Sequence, residues 1–324
     1  GEGDYSKEIE NVFSKFRYGQ AKDYRVEYSS SSMAMNHVEA QILDGVAKLF
    51  PEIFSRLESF SEVNKNFSDE AITVFDREIQ FYISYFDYIG FLKKEGLKFC
   101  YPEVTTDSKE VCDNEGYDLA LAYKLISEKS NVVLNDFYLS EKERIIVVSG
   151  PNQGGKTTFA RMFGQLHYLA SLGLPVPGIK ARLFLFDKLF THFEKEENIQ
   201  NLRGKLQDDL IRIHNILEEA TPGSIIILNE IFTSTTLKDQ VFLSRKIMQR
   251  ITELDLLCIW VTFIDEVASF SNKNVSMIST VVPDNPSLRT FKIIRGPADG
   301  LAYAMSVAEK YRLNYEYLRE RLKL

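Results

Sequence analysis

The chain contains Ser149-Gly150-Pro151-Asn152-Gln153-Gly154-Gly155-Lys156-Thr157-Thr158, in which Gly150, Gly155, Lys156 and Thr157 fit the spacing G-x-x-x-x-G-K-[ST]. Gly150, Gly154 and Gly155 let backbone N–H groups close around phosphate oxygens. A helix that starts at Lys156 turns the positive end of its dipole toward the same anion. Lys156 has the reach for the terminal phosphates, and the Thr157 hydroxyl is a suitable ligand for Mg²⁺. The chemistry implied is the binding of a nucleoside triphosphate.

A second polar cluster ends the apolar run Ser224-Ile225-Ile226-Ile227-Leu228-Asn229-Glu230. In phosphoryl-transfer sites such a strand tip offers an acid to the Mg²⁺ shell, and a following Glu orients the attacking water. Here the first position is Asn229, whose amide accepts a hydrogen bond from a metal-bound water but brings no charge. Glu230 remains available as base or water orienter. Its plainer reading is a residue that merely caps a loop.

These residues need strands to carry them. The β-branched run Ile145–Val148 leads into the glycine turn, and an apolar helix follows it. Further β-rich runs are predicted at Leu97–Tyr101, Val132–Leu134, Leu183–Phe186, Ile225–Leu228, Cys258–Val261, Met277–Val282 and Phe291–Ile294. After the turn they alternate with helices, which implies an α/β core with a largely parallel sheet covered on both faces. The segment of Val132 and Val133, just before the turn, suits an antiparallel flap over the nucleotide base.

Upstream the texture is helical. From Met33 to about Val63, Ile42, Val46, Leu49, Ile53 and Leu57 recur at steps of three and four, with Pro51 bending or dividing the helix. A second helix is predicted from Ser68-Asp69-Glu70 to Gly96, with Ile72, Phe75, Ile79, Tyr82, Phe86 and Ile89 as a heptad seam. The two seams should pair as an antiparallel hairpin, or else pack on a partner chain. The aromatic run Phe81–Tyr88 reads as packing of this pair, Trp260 as core, and Glu194–Glu197 as a solvated loop. The expected division is 1–96, helical, and 97–324, α/β.

Bulk composition narrows the class. The 324 residues are 44% hydrophobic and 26% charged, ordinary for a globular protein, and long enough for two domains. A net charge of −7 argues against a broad nucleic-acid surface on this chain. No uninterrupted apolar stretch approaches a membrane span, and no charged-then-apolar leader opens the sequence. Cys100, Cys112 and Cys258 lack CxxC spacing and suit thiols in a reducing cytoplasm; the four histidines lack zinc spacing. The opening Gly-Glu-Gly without Met reads as a processed or excised product.

The turn Gly150-Pro151-Asn152-Gln153-Gly154-Gly155-Lys156-Thr157-Thr158 and the tip Leu228-Asn229-Glu230-Ile231 together resemble the MutS family of ABC-type ATPases. Other pieces agree in order. Asp187 with Phe190-Thr191 is similar to the family's D-x-x-F-T segment, and Ile216-Leu217 with Ala220-Thr221 to the helix before the second acidic strand. Thr235, Thr236 and Asp239 fall in the dimer-contacting loop, Thr262 ends the next strand, and Tyr303 stands at the Ser-Tyr-Gly position. The similarity covers roughly residues 70–320. It implies a P-loop NTPase fold of ABC type, mixed but largely parallel, preceded by an α-helical subdomain like the family's core and levers. It also implies ATP and Mg²⁺ as cofactors and a homodimer with composite sites. Each phosphate loop would be completed by the partner's signature segment, and nucleotide-driven closure would move helices that in MutS relatives grip DNA.

Departures from the pattern temper that expectation. Asn229 replaces the Walker-B aspartate, Phe263 the switch histidine, Gly204 the signature serine, and Val132 the aromatic that stacks on adenine. Hydrolysis should therefore be slow, while Arg203 or Lys205, beside Gly204, offers positive charge to a partner's γ-phosphate. The rival reading is an ATP-binding switch or scaffold with vestigial hydrolysis and a protein partner. A small-molecule kinase would need an arginine-rich lid and a second pocket, for which the sequence gives no sign.

Overall fold

A computed structural model of the chain describes residues 7, 8, 11, 36–193, 204–282, 285–298, 311–313 and 315–322. The chain divides into two compact units, Gly1–Asp76 and Arg77–Leu324, with the division inside a helix. The sequence expectations for Glu194–Glu197, Arg203 and Tyr303 lie outside the described residues.

In the first unit, α1 (His37–Leu49) opens on a capping box: the Asn36 side chain accepts from the Glu39 N–H at 2.9 Å, and the Glu39 carboxylate accepts from the Asn36 N–H at 2.9 Å. Pro51 is the first residue of α2 (Pro51–Val63), where its missing N–H costs nothing, so the proline divides the helix. The next helix, α3 (Glu70–Lys94), starts in this unit, and Gly96 beyond its end has φ +90°. Neither α1 nor α2 has a buried residue, and Ile53, Leu57, Ile72 and Phe75 stay 58–65% exposed. The heptad pattern is there, but the described residues do not cover it.

The rest of α3 belongs to the second unit, where Tyr85, Ile89 and Leu92 enter the core. The buried seam passes through Tyr85 rather than the expected Phe86, which is 43% exposed. The Tyr85 hydroxyl donates to the Pro175 carbonyl at 2.6 Å, and those of Tyr82 and Tyr88 to Leu172 and Leu119 at 3.2 and 3.0 Å. A tyrosine with a carbonyl to meet can be buried in place of the neighbouring Phe.

In chain order the remaining elements are β1 (Phe99–Cys100), β2 (Glu103–Thr105), β3 (Val111–Gly116), α4 (Leu119–Ser127), β4 (Asn135–Leu139), β5 (Ile145–Ser149), α5 (Lys156–Ser171), β6 (Val176–Pro177) and β7 (Lys180–Phe184). They continue through β8 (Leu189–His192), α6 (Lys205–Glu219), β9 (Ile225–Asn229), α7 (Leu237–Leu254), β10 (Leu257–Val261), α8 (Asp265–Ala268), β11 (Asn274–Val282), β12 (Asn285–Arg295) and α9 (Tyr315–Leu322).

Six strands form a sheet in the order β12-β11-β5-β10-β9-β8, parallel except for β12 at one edge. The uniformly buried strands β5, β9 and β10 feed two cores, one on each face. Ile146 and Val148 join Phe159, Phe163 and Leu166 of α5, whereas Ile145 and Val147 join Ile213 of α6 and Ile247, Met248 and Ile251 of α7. The parallel sheet with both faces covered matches the sequence expectation. A second sheet, β2-β7-β3-β4, is antiparallel apart from the β2–β7 pair, and β1 pairs with β6.

The short strands were harder to anticipate. Residues 131–134 have no regular structure, and the strand expected at Val132–Leu134 begins instead at Asn135. There Asn135, Phe137 and Leu139 point inward and Asp136 and Tyr138 outward, an alternation disguised by the buried Asn. Strand β3 is hidden in the same way, because Asp113 is fully buried within it. Of Leu97–Tyr101 only Phe99 and Cys100 pair.

Candidate functional site

β5 ends at Ser149, and the chain turns through Gly150 (φ +113°) and Gln153 (φ +58°) to Gly155 (φ +90°), which caps α5 without a side chain. The turn is pinned from β11: the Ser279 hydroxyl donates to the Gly154 carbonyl at 2.6 Å. A methyl group on Gly154 would sit 2.2 Å from Ser279 Oγ and 3.0 Å from the Pro151 carbonyl oxygen, so only glycine fits. With no capping side chain, the first-turn amides of α5 are left for an anion.

Lys156, 3% exposed, folds back over the turn. Its ammonium donates to the Gly150 and Pro151 carbonyls at 3.1 and 3.0 Å, lies 3.9 Å from Glu230 Oε1, and stands 4.4 Å above the Phe263 ring. Burial pulls its pKa below the usual lysine value; Glu230 opposes that shift and the nearby Arg289 charge adds to it. The Thr157 hydroxyl donates to Asn229 Oδ1 at 2.9 Å, which joins the helix start to the tip of β9. Glu230 follows in a left-handed backbone conformation (φ +49°), its N–H bonded to the Val261 carbonyl at 2.9 Å. This aims its carboxylate toward Lys156 rather than along the strand.

A cavity of about 400 Å³ extends from this polar end. Gln153, Gly154, Gly155, Lys156, Thr157, Thr158 and Glu230 line it, and so do Val132 and Val133. Pro151 is buried beneath the turn, and the exposed Asn152 contributes its carbonyl, which accepts from Arg289 Nε at 3.2 Å. Thr262 is buried, and its hydroxyl caps the Ile264 N–H at 3.1 Å.

The far wall was not foreseen. α4 starts at the fully buried Asp118 side chain, which accepts from the Leu121 N–H at 2.8 Å and from Arg161 Nε and Nη2 at 2.9 and 2.8 Å. That bidentate pair fixes α4 against α5, so that Leu121, Leu125 and Met162 face the cavity. Asn135 and Phe291 complete the wall. The available signals were weak: a polar Asp118 before the apolar Leu-Ala-Leu-Ala run, and Ser279 and Asn135 on inward positions of alternating strands.

Other expected positions lie apart from the cavity lining. Asp187 holds the approach to β9, accepting from the Thr221 hydroxyl and from Ser224 Oγ at 2.9 Å. Burial raises its pKa, but these hydrogen bonds outweigh that and keep it low. Thr236 caps α7, its hydroxyl accepting from the Asp239 N–H at 3.3 Å. Gly204 caps α6 and Lys205 is its first residue; neither is among the residues lining the cavity.

The donor set suits a hard, oxygen-seeking cation bound to phosphates: the Thr157 hydroxyl and, through water, the Asn229 amide, with the Glu230 carboxylate close by. Among the described residues no group of three or more His, Cys, Asp or Glu could hold a metal by itself. An Mg²⁺ here would draw its remaining ligands from phosphate and water. Glycine amides, a buried ammonium and a hydroxyl on one rim, with an apolar wall beyond, can hold a phosphate chain joined to a flat, weakly polar group.

Residues 146–319 match the family model described as MutS domain V. Endonuclease MutS2 of Thermus thermophilus is 29% identical over 210 residues, covering 63% of this chain and 27% of that protein. DNA mismatch repair protein MutS of Desulfovibrio desulfuricans is 28% identical over 235 residues, 70% of this chain and 25% of the relative. The same-named protein of Rickettsia bellii is 30% identical over 189 residues, 57% and 21% of the respective lengths. The chain thus spans about a quarter of the length of the curated relatives it matches. Because the family match takes in the glycine turn, the β9 tip and more than half of the sequence, this protein belongs to the MutS family.

Proposed function

We propose that this chain is a Mg²⁺-dependent ATPase of MutS type, built on an ABC-type P-loop fold, and that it works as a nucleotide-driven dimeric clamp on DNA. The observation that carries the reading is Lys156, buried beside the glycine turn, with Thr157, Asn229 and Glu230 gathered at the same end of the cavity. Residues 97–324 form the ATPase part and 1–96 the helical, lever-like part, with α3 shared between the compact units.

The amides of Gly150–Gly155 and the Lys156 ammonium bind the phosphate chain, and Lys156 neutralises charge gathering on the leaving phosphates. When bound, Mg²⁺ supplies further charge neutralisation on the phosphate oxygens, with Thr157 as a direct ligand and Asn229 acting through water. Glu230 orients the attacking water and takes its proton as the water oxygen bonds to the γ-phosphorus and the bond from that phosphorus to the bridging oxygen breaks, giving ADP as leaving group and inorganic phosphate. Asn229 carries no charge and Phe263 no ring nitrogen, so turnover is slow. Arg203 and Lys205, carried beside Gly204, are offered to the partner's γ-phosphate.

DNA as partner rests on relatives named for mismatch repair and on an endonuclease. No described helix is long and apolar enough to cross a membrane. Phosphate-mediated binding to DNA should weaken steeply with salt; a flat response would point to a protein partner instead.

A second reading, a switch that binds ATP without hydrolysing it, is favoured by Phe263, whose ring lies against the Lys156 ammonium where the family has a histidine. Single-turnover phosphate release separates the two. The ATPase reading expects the natural chain to release phosphate faster than Glu230→Ala while both bind ATP; equal rates favour the switch. Lys156→Ala should bind ATP at least tenfold more weakly, and no ATP binding by the natural chain would overturn both readings.

A further inference from the structure

Glu230 stands in a loop whose backbone is under strain. Its own φ is +49°, and Phe232, two residues on and fully buried, has φ +63°, a region that bulky residues rarely occupy. Backbone in such a state persists only where its surroundings hold it. The Glu230 N–H donates to the Val261 carbonyl of β10 at 2.9 Å, and Gln240 Nε2 of α7 donates to the Ile231 carbonyl at 3.3 Å. The Phe232 N–H donates to Asp209 Oδ2 of α6 at 3.4 Å. Of these contacts, the one to Asp209 alone involves a charged side chain.

Asp209 is 7% exposed, and a carboxylate so placed needs a counter-group. His192, the last residue of β8 and itself buried, stands opposite: its Nε2 lies 3.2 Å from Asp209 Oδ1. The imidazole makes no hydrogen bond elsewhere among the described residues. One turn further along α6, Arg212 Nη1 donates to the Phe193 carbonyl at 3.4 Å, so the helix is docked on the end of the same strand. Neither His192 nor Asp209 is among the residues lining the cavity.

We propose that Asp209, aligned by His192, is a positioning residue for Glu230. It fixes Phe232 and, through the intervening Ile231, the direction of the carboxylate that orients the attacking water. The inference rests on the ATPase reading above and adds to it a pair outside the cavity. Desolvation makes a buried pair of this kind a poor source of net stability, and its use here is to set geometry. A shift of about 1 Å in a reacting group can cost about a hundredfold in rate. The pair therefore acts on turnover and leaves ATP affinity alone.

The test measures ATP affinity and single-turnover phosphate release of the 324-residue chain, natural and with Asp209→Asn, His192→Leu or His192→Gln. Asp209→Asn and His192→Leu should slow release by about tenfold or more with ATP affinity unchanged. His192→Gln, whose amide nitrogen can donate in the place of Nε2, should recover most of the rate. In a Glu230→Gln background Asp209→Asn should cost nothing further, because the group it positions has lost its chemistry. If Asp209→Asn fails to fold, the two His192 variants decide the matter. Unchanged release in Asp209→Asn and His192→Leu overturns the proposal. So does a parallel loss of ATP affinity, or an added loss on Glu230→Gln, either of which makes the pair a support of the fold. A natural chain that releases phosphate no faster than Glu230→Ala overturns the ATPase reading itself, and this proposal with it.

Discussion

Asp113 is fully buried in β3, and neither of its carboxylate oxygens has a hydrogen-bond partner. Burial, and then the neighbouring Asp136 charge, push its pKa up to about 8. Below its unfolded value of 3.8 the group is protonated in both states, so it has no effect on stability. Between there and about pH 8 the unfolded chain releases the proton while the fold retains it. Stability therefore falls with rising pH across that window, by at most about 1.4 kcal/mol per unit, and levels off above it. Asp113→Asn should remove the slope, with a gain in denaturation midpoint that is absent at pH 4 and largest at pH 8. Parallel pH profiles for the two proteins would count against this account. At this scale the polar rim was legible, because Gly150–Thr158, Asn229 and Glu230 declare themselves by type and order. Asp113, Asn135, Ser279 and Phe291 did not, since each matters through residues distant in sequence, and a buried Asn or Asp inside a strand reads locally as a turn.

Elements of the sheet and its helices follow from long apolar runs; the contacts between them follow from the absence of atoms. Gly164 lies in the interior of α5, where alanine ordinarily gains up to about 1 kcal/mol in helix propensity. A methyl group there would stand 2.5 Å from Ile227 Cδ1 on β9. Crowding in a packed core costs about 1–3 kcal/mol, so Gly164→Ala should lower stability despite the better helix former. Adding Ile227→Val, which deletes the offending methyl, should recover most of the loss in a double-mutant cycle of denaturant unfolding. β5, β9 and β10 were visible in the sequence because burial on both faces demands unbroken β-branched runs. β2 and β6, of three and two residues, carry no such signal, and their pairing is set by the strands beside them.

At the scale of the whole molecule, the N-terminal unit carries an exposed apolar seam. Its period was readable; what it packs against was not, because a seam specifies a face and not a partner. Leu57 and Phe60 are 58% and 66% exposed. Replacing both with Glu should change the stability of the dilute monomer by no more than about 0.5 kcal/mol per site. A much larger loss, measured by thermal unfolding at several protein concentrations, would mean that a second copy covers the seam. The dimer proposed to close on ATP would be read separately, by light scattering with and without Mg²⁺-ATP.

β5 runs between two parallel neighbours, β10 and β11, with Val148 level with Val261 on one side and Met277 on the other. The Thr262 N–H bonds to the Val148 carbonyl at 3.0 Å, so the rim of the site is tied to the same strand. In deuterium exchange, the amides of Ile146–Ser149 should be among the last to take up label, and only through global opening. The loop they hold should exchange early and slow sharply once ATP is added. The turn can then change its mobility with each nucleotide cycle while the strand beneath it stays still.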